Sequence, residues 1–311
     1  MLKKRAIKKI FITTLSAFIL LVTYTISNIN NNEEVLKTNL EVEYVTGLGT
    51  NNIYLIDDNN YLVKTKLLLD TNDKVEQIKL LLKNLIKSDN SKFPNNLSAT
   101  IPSNTKVLSV IYDEEYVSID LSNKVLKLSD EEKEKMVESI VYSVMDLGNI
   151  KGVIISINGV LLEGYDKVLD KNIGINKRYN IKSRNDINKV VIYYMEEIND
   201  DMYYVPVTRY LNDSRDKVKI IVEELSSSYI YETNLMSFLN SNAKLLDYKE
   251  QENVMTLEFN DAIFNDQSKI VEEVKYTLAY SIFENYDVNE VMINVNNKNI
   301  ESISKKDLAK K

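Results

Sequence analysis

The chain has 311 residues, a formal net charge of −7 and an apolar fraction of 44%, which together predict about two globular domains rather than a disordered chain. It contains no His, Cys or Trp, which excludes thiol catalysis, disulfides, thiolate metal sites and a lipid-modified N-terminal Cys. Histidine, the usual acid/base group and transition-metal ligand near neutral pH, is also missing, so we expect no cofactor.

The first 27 residues carry the signals of membrane insertion. Five basic residues precede an apolar stretch that runs from Ile10 to Ile26. At about 1.5 Å per residue this stretch spans roughly 25 Å, and its basic flank should stay in the cytoplasm. We therefore expect a single-pass signal anchor over residues 1–27, with the rest of the chain on the extracytoplasmic side of the cell membrane. A cleaved signal peptide is the alternative.

The exported part of the chain is acidic. Five of the 39 basic residues belong to the N-terminal flank, so 34 remain against 46 acidic residues. Phosphate backbones are bound by clustered Lys and Arg, and this balance therefore predicts no nucleic-acid partner.

A polar tether over residues 28–50 leads into a first set of elements, residues 51–163. Apolar spacing and turn residues predict two strands, a helix, a hairpin, a second helix and a closing strand. The predicted elements are, in order: strands from Ile53 and Tyr61 around the turn Asp57–Asn60; a helix capped by Asn72 or Asp73; the hairpin Lys106–Ser122; a helix opened by the capping box of Ser129 and Glu132; and a strand ending at Asn158-Gly159.

The same order returns in residues 189–303. The stretch VSIDLSNKV begins at Val117, and MTLEFNDAI begins at Met255, 138 residues later, with matching character at most positions. A linker over residues 164–188 separates the copies, and a basic, solvated tail follows at 304–311. The chain is therefore expected to hold a duplicated module, β-β-α-β-β-α-β in each copy. In the second copy we expect an acidic turn after Met195 and a helix capped near Asp213 or Ser214.

The strands alternate, which predicts an α+β fold of two tandem two-layer sandwiches behind the transmembrane helix. Val117, Ile119 and Leu121 should face the helices, while the residues between them face outward. The outward positions of the two equivalent strands are candidate partner-facing residues: Ser118, Asp120, Ser122, Thr256, Glu258 and Asn260.

Candidate catalytic and metal-binding groups have plainer explanations. The run Asp57–Asn60 lacks the Gly and distal Glu of a calcium loop, which predicts an ordinary turn. Asp113 and Glu114, and the acidic residues of the segment 196–201, are expected to be solvated in turns. No nucleophile motif or phosphate-binding Gly loop is present, so the sequence predicts no active site.

The order of elements and one run of residues resemble the GerM domain, a family of sporulation and spore germination. The specific part is I-P-x-x-T-x-V-L-S-V from Ile101, followed by V-x-I-D-L-S from Val117 and a closing VIISING. The second copy keeps FLNSNAKLL and MTLEF, a looser version. The resemblance extends from near Asn51 to Ile300.

This resemblance implies a non-enzymatic exported protein of endospore-forming bacteria. The family is similar in fold to the ring-building modules of secretion systems and is linked to an assembly between the mother-cell and forespore membranes. Typical relatives carry a lipobox Cys, which this chain lacks, so the N-terminal helix is the expected anchor.

Two functional hypotheses follow. The first is a membrane-anchored scaffold of a cell-envelope complex in sporulation or germination, with other envelope or sporulation proteins as partners or self-association into a ring. The second is an extracytoplasmic module that binds peptidoglycan or another envelope ligand through a concave site. A hydrolase would need paired carboxylates in a cleft.

Overall fold

The computed structural model describes residues 49–88, 93–94, 96–227 and 234–310. The predicted membrane anchor, residues 1–27, and nearly all of the predicted tether lie outside these residues. Within the described ranges, no helix combines the length and the apolar character needed to cross a membrane. Residues Leu48–Lys311 form one compact unit.

The first repeat contains the elements in the predicted order, with two additional short strands. They are β1 (Gly49–Asp57), β2 (Leu62–Leu69), α1 (Lys74–Leu85), β3 (Leu97–Ser98), β4 (Val107–Tyr112), β5 (Tyr116–Leu121), a 3-10 turn (Asn123–Lys127), α2 (Asp130–Met145), β6 (Gly152–Ile157) and β7 (Val160–Leu161).

The second repeat has the same order of main elements as the first, and the connecting segment adds a turn and a strand. They comprise a 3-10 turn (Lys171–Ile173), β8 (Arg178–Asn180), β9 (Asn188–Ile198), β10 (Asp201–Leu211), α3 (Lys217–Ser226), β11 (Leu245–Gln251), β12 (Val254–Phe259), a 3-10 turn (Asp261–Ile263), α4 (Glu272–Asn285), β13 (Glu290–Val295), β14 (Lys298–Ser304) and α5 (Lys305–Lys310).

Each repeat contains one four-stranded sheet with the same topology. Its order is β4-β5-β6-β7 in the first repeat and β11-β12-β13-β14 in the second. The two central strands are parallel, whereas both outer strands pair antiparallel to them. Val117, Ile119 and Leu121 are at most 1% exposed, which confirms the predicted alternation along β5.

The opening hairpins do not belong to these sheets. The hairpin β1–β2 and the hairpin β9–β10 join in a separate six-stranded sheet that both repeats share. The connection is a bridge between Lys64 on β2 and Tyr204 on β10. The prediction of two separate two-layer sandwiches is therefore wrong in this respect, although the α+β class is correct. A pattern of alternation marks a strand but does not name its neighbours.

The second helix of each repeat is covered on more than one side. In α2 every residue from Met136 to Val144 is buried, and α2 packs against both β1 and β6. The buried hydroxyls of this helix serve the edge of β1, because Ser143 Oγ accepts from Tyr54 N at 3.0 Å and Ser139 Oγ donates to Tyr54 O at 2.6 Å. These serines are thus structural groups that satisfy the backbone of a strand edge.

Two predicted termini of secondary structure are confirmed, and one is displaced. Asp73 caps α1 by accepting from Glu76 N at 2.8 Å, and the predicted capping box opens α2 at Ser129. In the second repeat the cap is Asp216 rather than Asp213 or Ser214. The sequence indicated Asp213 or Ser214, but the helix begins at Lys217, and the residue that precedes it, Asp216, accepts from Val218 N.

The predicted acidic turn after Met195 is shorter than expected. Strand β9 continues to Ile198, which places Glu196 inside the strand, where it is only 1% exposed. Asp57 likewise ends β1 and is 8% exposed. By contrast, Asp113 and Glu114 are exposed in the turn between β4 and β5, as predicted.

The predicted linker and tail are both packed. Within the linker, Leu169 pairs with Val153 of β6 through two backbone hydrogen bonds, and β8 runs parallel to β10. The tail forms α5, in which Leu308 is 5% exposed and its carbonyl accepts from Lys66 of the first repeat at 3.2 Å. The expectation of a solvated tail therefore holds for Lys305 and Lys306, which are exposed, but not for Leu308.

Candidate partner surface and repeat interface

The six candidate partner-facing residues lie on the outward side of the two four-stranded sheets. Each side chain is half-buried rather than freely exposed. They follow the alternation of β5 and β12 and the residue after each strand: Ser118, Asp120, Ser122, Thr256, Glu258 and Asn260.

The two carboxylates of this set hold turns of their own repeats. Asp120 Oδ1 accepts from Gly159 N at 3.0 Å, and Glu258 Oε1 accepts from Asn297 N at 2.9 Å. Gly159 (φ +80°) and Asn297 (φ +59°) both lie in the left-handed region that tight hairpin turns require. The same bond recurs 138 residues apart, which makes it a structural part of the module.

Two further members of the set also bind backbone. Ser122 Oγ accepts from Lys106 N, and Asn260 Oδ1 accepts from Lys244 N, both at 2.9 Å. Each bond fastens the end of a central strand to the residue before the edge strand. Four of the six candidates therefore have an intramolecular role, and their polar atoms are less available to a partner than the sequence suggested.

The outer face of the first sheet carries exposed apolar side chains on both of its edge strands. The register aligns Ile111, Ser118 and Ile154 in one row across β4, β5 and β6. The next row ends at Leu161 on β7, opposite Ser156. Ile111 is 62% exposed and Leu161 46% exposed. The two side chains stand on opposite edge strands of the same face, with Ser118, Asp120 and Ser156 on the strands between them. Exposed apolar side chains on a sheet face are candidates for an interaction surface. We call this surface the first-repeat face.

The corresponding face of the second sheet is polar. Lys249 occupies the position of Ile111 and Asn299 occupies that of Leu161, in the register of 138. The row that contains Lys249 continues through Thr256 and Met292 to Ser302 on β14. Duplication has therefore kept the backbone of the module while the outer faces have different chemistry.

The two repeats are joined by the side chain of Asn176. Its Oδ1 accepts from Leu62 N at 2.8 Å, while its Nδ2 donates to Leu62 O at 2.9 Å and to Pro206 O at 2.8 Å. Leu62 and Pro206 would form the next pair of the ladder beyond Lys64 and Tyr204. Because Pro has no N–H to donate, the amide of Asn176 supplies the missing bonds between the strands. Asn176 is 3% exposed.

A buried ionic cluster lies at the same interface. Lys171 Nζ contacts Asp146 Oδ1 at 2.8 Å and Glu284 Oε2 at 3.0 Å. Asp146 follows α2 and Glu284 lies near the end of α4, at equivalent positions 138 residues apart. Lys171 belongs to neither repeat and has no counterpart in the duplication. One linker cation therefore bridges one carboxylate from each repeat.

The pKa shifts of this cluster have a clear origin. Burial alone would raise the pKa of Asp146, but Lys171 and Lys64 outweigh it and lower this pKa to about 2. Burial alone would lower the pKa of Lys171, but the two carboxylates raise it above its ordinary value. Burial lowers the pKa of Lys64 to about 8. Asp146 and Lys171 are therefore ionised at neutral pH, whereas a fraction of Lys64 is neutral.

Tyrosines complete the interface. Tyr54 Oη donates to Asp146 Oδ2 at 3.0 Å and lies 3.4 Å from the hydroxyl of Tyr193, its equivalent in the second repeat. Lys64 Nζ lies 3.8 Å from the centroid of the Tyr280 ring, within range of a cation–π interaction. Burial raises the pKa of Tyr54 and that of Tyr193 well above the ordinary value. These rings stay neutral and act as hydrogen-bonding and packing groups.

A cavity of about 280 Å³ lies beside the end of β10 and the start of α3. Three of its charged groups pair with one another, since Arg215 contacts Asp213 at 2.6 Å and Glu223 at 2.5 Å. The stacked rings of Tyr179 and Tyr210 are close in sequence to its lining but occupy the opposite face of β8 and β10. The cavity therefore lacks the aromatic wall that a sugar-binding site uses.

The sequence pointed to the outer strands but missed the interface. Asp146 and Glu284 could have been found from the repeat register, because both are acidic at positions 138 apart. Lys171 and Asn176 gave no signal, since they stand in a segment without a periodic pattern. Within the described ranges, no three Asp or Glu side chains come close enough to hold a metal ion.

Two copies of one α+β module, fused through a shared sheet, define a tandem-domain protein. Sequence comparison matches residues 52–163 and again residues 191–301 to the Germane family, described as sporulation and spore germination. These matches cover more than half of the chain, and the chain belongs to this family.

One relative and one solved structure lead to the same family. The chain is 27% identical over 262 residues to the spore germination protein GerM of Bacillus subtilis (strain 168), which covers 79% of this chain and 71% of the relative. The solved tandem GerMN domains of the sporulation protein GerM from Bacillus subtilis superpose with a TM-score of 0.73 at 26% identity, covering 83% of this chain and 97% of that one. The predicted family and tandem organisation are confirmed.

Proposed function

We propose that this chain is a non-enzymatic, membrane-anchored scaffold protein of a cell-envelope complex that acts in sporulation or germination. Its partners are other envelope or sporulation proteins, or further copies of itself. Family membership supports the biological setting, because the relatives that the chain resembles are named for sporulation and spore germination.

The observation that carries a scaffold role is the first-repeat face. Ile111 and Leu161 expose apolar side chains on a sheet whose edge strand β4 stands at the open end of the sheet order. An apolar sheet face packs against another apolar surface, and an open edge can accept a further strand. The second repeat presents Lys249 and Asn299 at the equivalent positions. Contacts with a partner are therefore assigned to the first repeat.

The repeat interface supports the same role. Lys171 and Asn176 fix the two modules relative to each other through buried bonds, so that the body behaves as one rigid unit. A scaffold benefits from such rigidity because a partner bound to one module then keeps a defined position relative to the other. The alternative of an envelope-ligand module has less support, because the described cavity has no aromatic wall and its Arg215 is already paired with Asp213 and Glu223.

The first test measures self-association of residues 28–311, which contain the whole compact unit. Light scattering across a concentration series should show a mass that grows beyond one chain. Ile111→Lys gives the first-repeat face the charge that the second repeat carries at the equivalent position and should return the mass to one chain. Lys249→Gln removes that charge on the second repeat and should leave association unchanged. A strict monomer for all three proteins would remove self-association and leave the heterologous partner.

The second test measures the biological role in the source organism. Deletion should reduce the yield of heat-resistant spores or their rate of germination, and the wild-type chain and Lys249→Gln should restore it. Ile111→Lys should fail to restore it while accumulating to the same level. Normal sporulation and germination in the deletion strain would refute the role.

The third test concerns the anchor. The full chain should sediment with membranes, and protease added from outside the cytoplasmic membrane should digest the folded part. Removal of residues 1–27 should abolish export. A chain found in the cytoplasmic fraction would contradict the proposed topology.

A further inference from the structure

Two buried carboxyl groups meet where the opening hairpins of the two repeats touch. Asp57 ends β1 of the first repeat, and Glu196 lies in β9 of the second repeat. They stand 139 residues apart, in the same register that relates Tyr54 to Tyr193. They are 8% and 1% exposed, respectively. The duplication has thus brought two equivalent acidic positions together at one interface.

One oxygen of each carboxyl group is occupied by hydrogen bonds. Asp57 Oδ1 accepts from Asn59 N at 2.9 Å and from Tyr61 N at 2.7 Å, and these bonds hold the turn between β1 and β2. Glu196 Oε1 accepts from Asn59 Nδ2 at 2.6 Å. The turn of the first repeat is therefore bound directly to a strand of the second.

The other two oxygens have no hydrogen-bond donor. Asp57 Oδ2 and Glu196 Oε2 are both buried, and neither accepts a bond from any described residue. The two side chains lie within hydrogen-bonding reach of each other. Two neighbouring buried carboxyl groups, each with one oxygen that lacks a donor, can be satisfied together by a single proton, as in a carboxylic acid bonded to a carboxylate.

The charged surroundings do not neutralise the pair in another way. Asp57 on β1 is the charged group that acts on Glu196, and Asn59 in the turn is its polar neighbour. The charge of Asp57 raises the pKa of Lys135 on α2, but the charge of Glu138 raises it more. The Nζ atom of Lys135 donates its hydrogen bond to Asn176 rather than to Asp57. Burial, together with the hydrogen bond and the negative charge of Asp57, raises the pKa of Glu196 to about 8.

We propose that Asp57 and Glu196 share one proton and form a pH-sensitive latch between the two repeats. When the proton leaves, two buried carboxylates repel each other, and the contact between the hairpins loosens. The folded state binds this proton more tightly than the unfolded chain does. The stabilisation is therefore fully present below pH of about 4.5 and is lost as the pH rises through about 8.

The chain is well suited to a test, because it contains no histidine that would titrate in the same window. Lys64 also titrates near pH 8, but its effect has the opposite sign, since stability increases as this buried amine loses its proton. A comparison of variants removes this contribution. In Glu196→Gln the amide can donate to Asp57 Oδ2 and mimics the protonated pair at every pH. The neighbouring Glu197 is exposed, so Glu197→Gln is a matched control.

The experiment follows thermal unfolding of residues 28–311 from pH 6.5 to 9. The melting temperature of the wild type and of Glu197→Gln should fall by roughly 4–8 °C relative to Glu196→Gln over this range. Parallel profiles for all three proteins would overturn the proposal. A second experiment repeats the measurement with calcium at millimolar concentration. A rise in melting temperature at pH 7.5 that Glu196→Gln abolishes would mean that a divalent cation, not a proton, joins the carboxylates.

A direct measurement can be made on the same samples. In protein labelled with ¹³C at the side-chain carboxyl of Glu, one resonance that is absent from Glu196→Gln should titrate with a midpoint between pH 7 and 9. If every Glu carboxyl in the wild type titrates below pH 6, the shared proton does not exist and the latch is refuted.

Discussion

Replacing Lys171 by Met removes the cation that contacts one carboxylate from each repeat. The Met side chain has a similar length and fits the same path, so the change deletes the charge with little loss of volume. It leaves Asp146 and Glu284 facing each other at an interface where their side chains are 10% and 13% exposed. It also removes the cation that lies 5.2 Å from the centroid of the Tyr142 ring.

The magnitude follows from burial. Removal of one partner from a buried ion pair typically costs about 3–5 kcal/mol, because the remaining charge stays desolvated. Lys171 is 27% exposed, so some solvent reaches it, and the lower end of this range is the better expectation. Part of the cost falls on Asp146, which would no longer be held in its ionised form. With an m-value of about 3 kcal/mol/M, the urea midpoint should fall by roughly 1 M.

The assay is urea unfolding of residues 28–311 at pH 7, followed by far-UV circular dichroism. Lys79→Met is the matched control, because Lys79 pairs with Glu76 at 2.7 Å on the exposed surface of α1. Exposed pairs contribute about 0–1 kcal/mol, so this midpoint should hardly move.

A triple variant separates charge from packing. Adding Asp146→Asn and Glu284→Gln to Lys171→Met removes both stranded charges and should recover most of the lost stability. Equal midpoints for Lys171→Met and Lys79→Met would refute the view that this cluster holds the repeats together. Failure of the triple variant to recover would indicate that packing, rather than charge, explains the loss.

Two further predictions concern the same interface. The pKa of Asp146 is about 2 in the folded protein and ordinary in the unfolded chain, so the free energy of unfolding of the wild type should fall by about 2 kcal/mol as the pH falls from 5 to 2. Urea unfolding at each pH should show a smaller loss for Asp146→Asn. Asn176→Ala should lower the free energy of unfolding by about 2–4 kcal/mol, because it removes the bridging bonds and places Ala at a left-handed backbone position (φ +46°). Asn176→Gly should recover only the part of this loss that comes from the backbone. Equal stability of Asn176→Ala and wild type in thermal unfolding would contradict the bridging role.

Elements with a local signal were predicted well. The capping box at Ser129, the cap at Asp73 and the alternation along β5 depend on residues within one or two turns or along one strand. The same is true of the hairpin turns, where left-handed Asn158 and Gly159 favour a tight reversal. Local patterns fail where two similar residues compete, as the cap of α3 shows.

The candidate surface was predicted only in outline. Alternation correctly placed Asp120 and Glu258 on the outward faces, but it could not show that both carboxylates bind the backbone of a neighbouring turn. The exposure of Ile111 and Leu161 was not predicted, since an apolar residue in an amphipathic strand is normally assigned to the core. Only the register across β4 to β7 places both on the outer face of the sheet.

The sequence by itself determined the duplicated module, its elements and the side of each strand that faces the core. These depend on hydrophobic period and capping, which act over a few residues. Tertiary structure decided that the opening hairpins join the repeats, that Lys171 bridges Asp146 and Glu284, and that Asp57 meets Glu196. Such contacts join residues roughly a hundred or more positions apart, or link a repeat to the aperiodic linker. Their energy comes from burial and charge at an interface that no local pattern records.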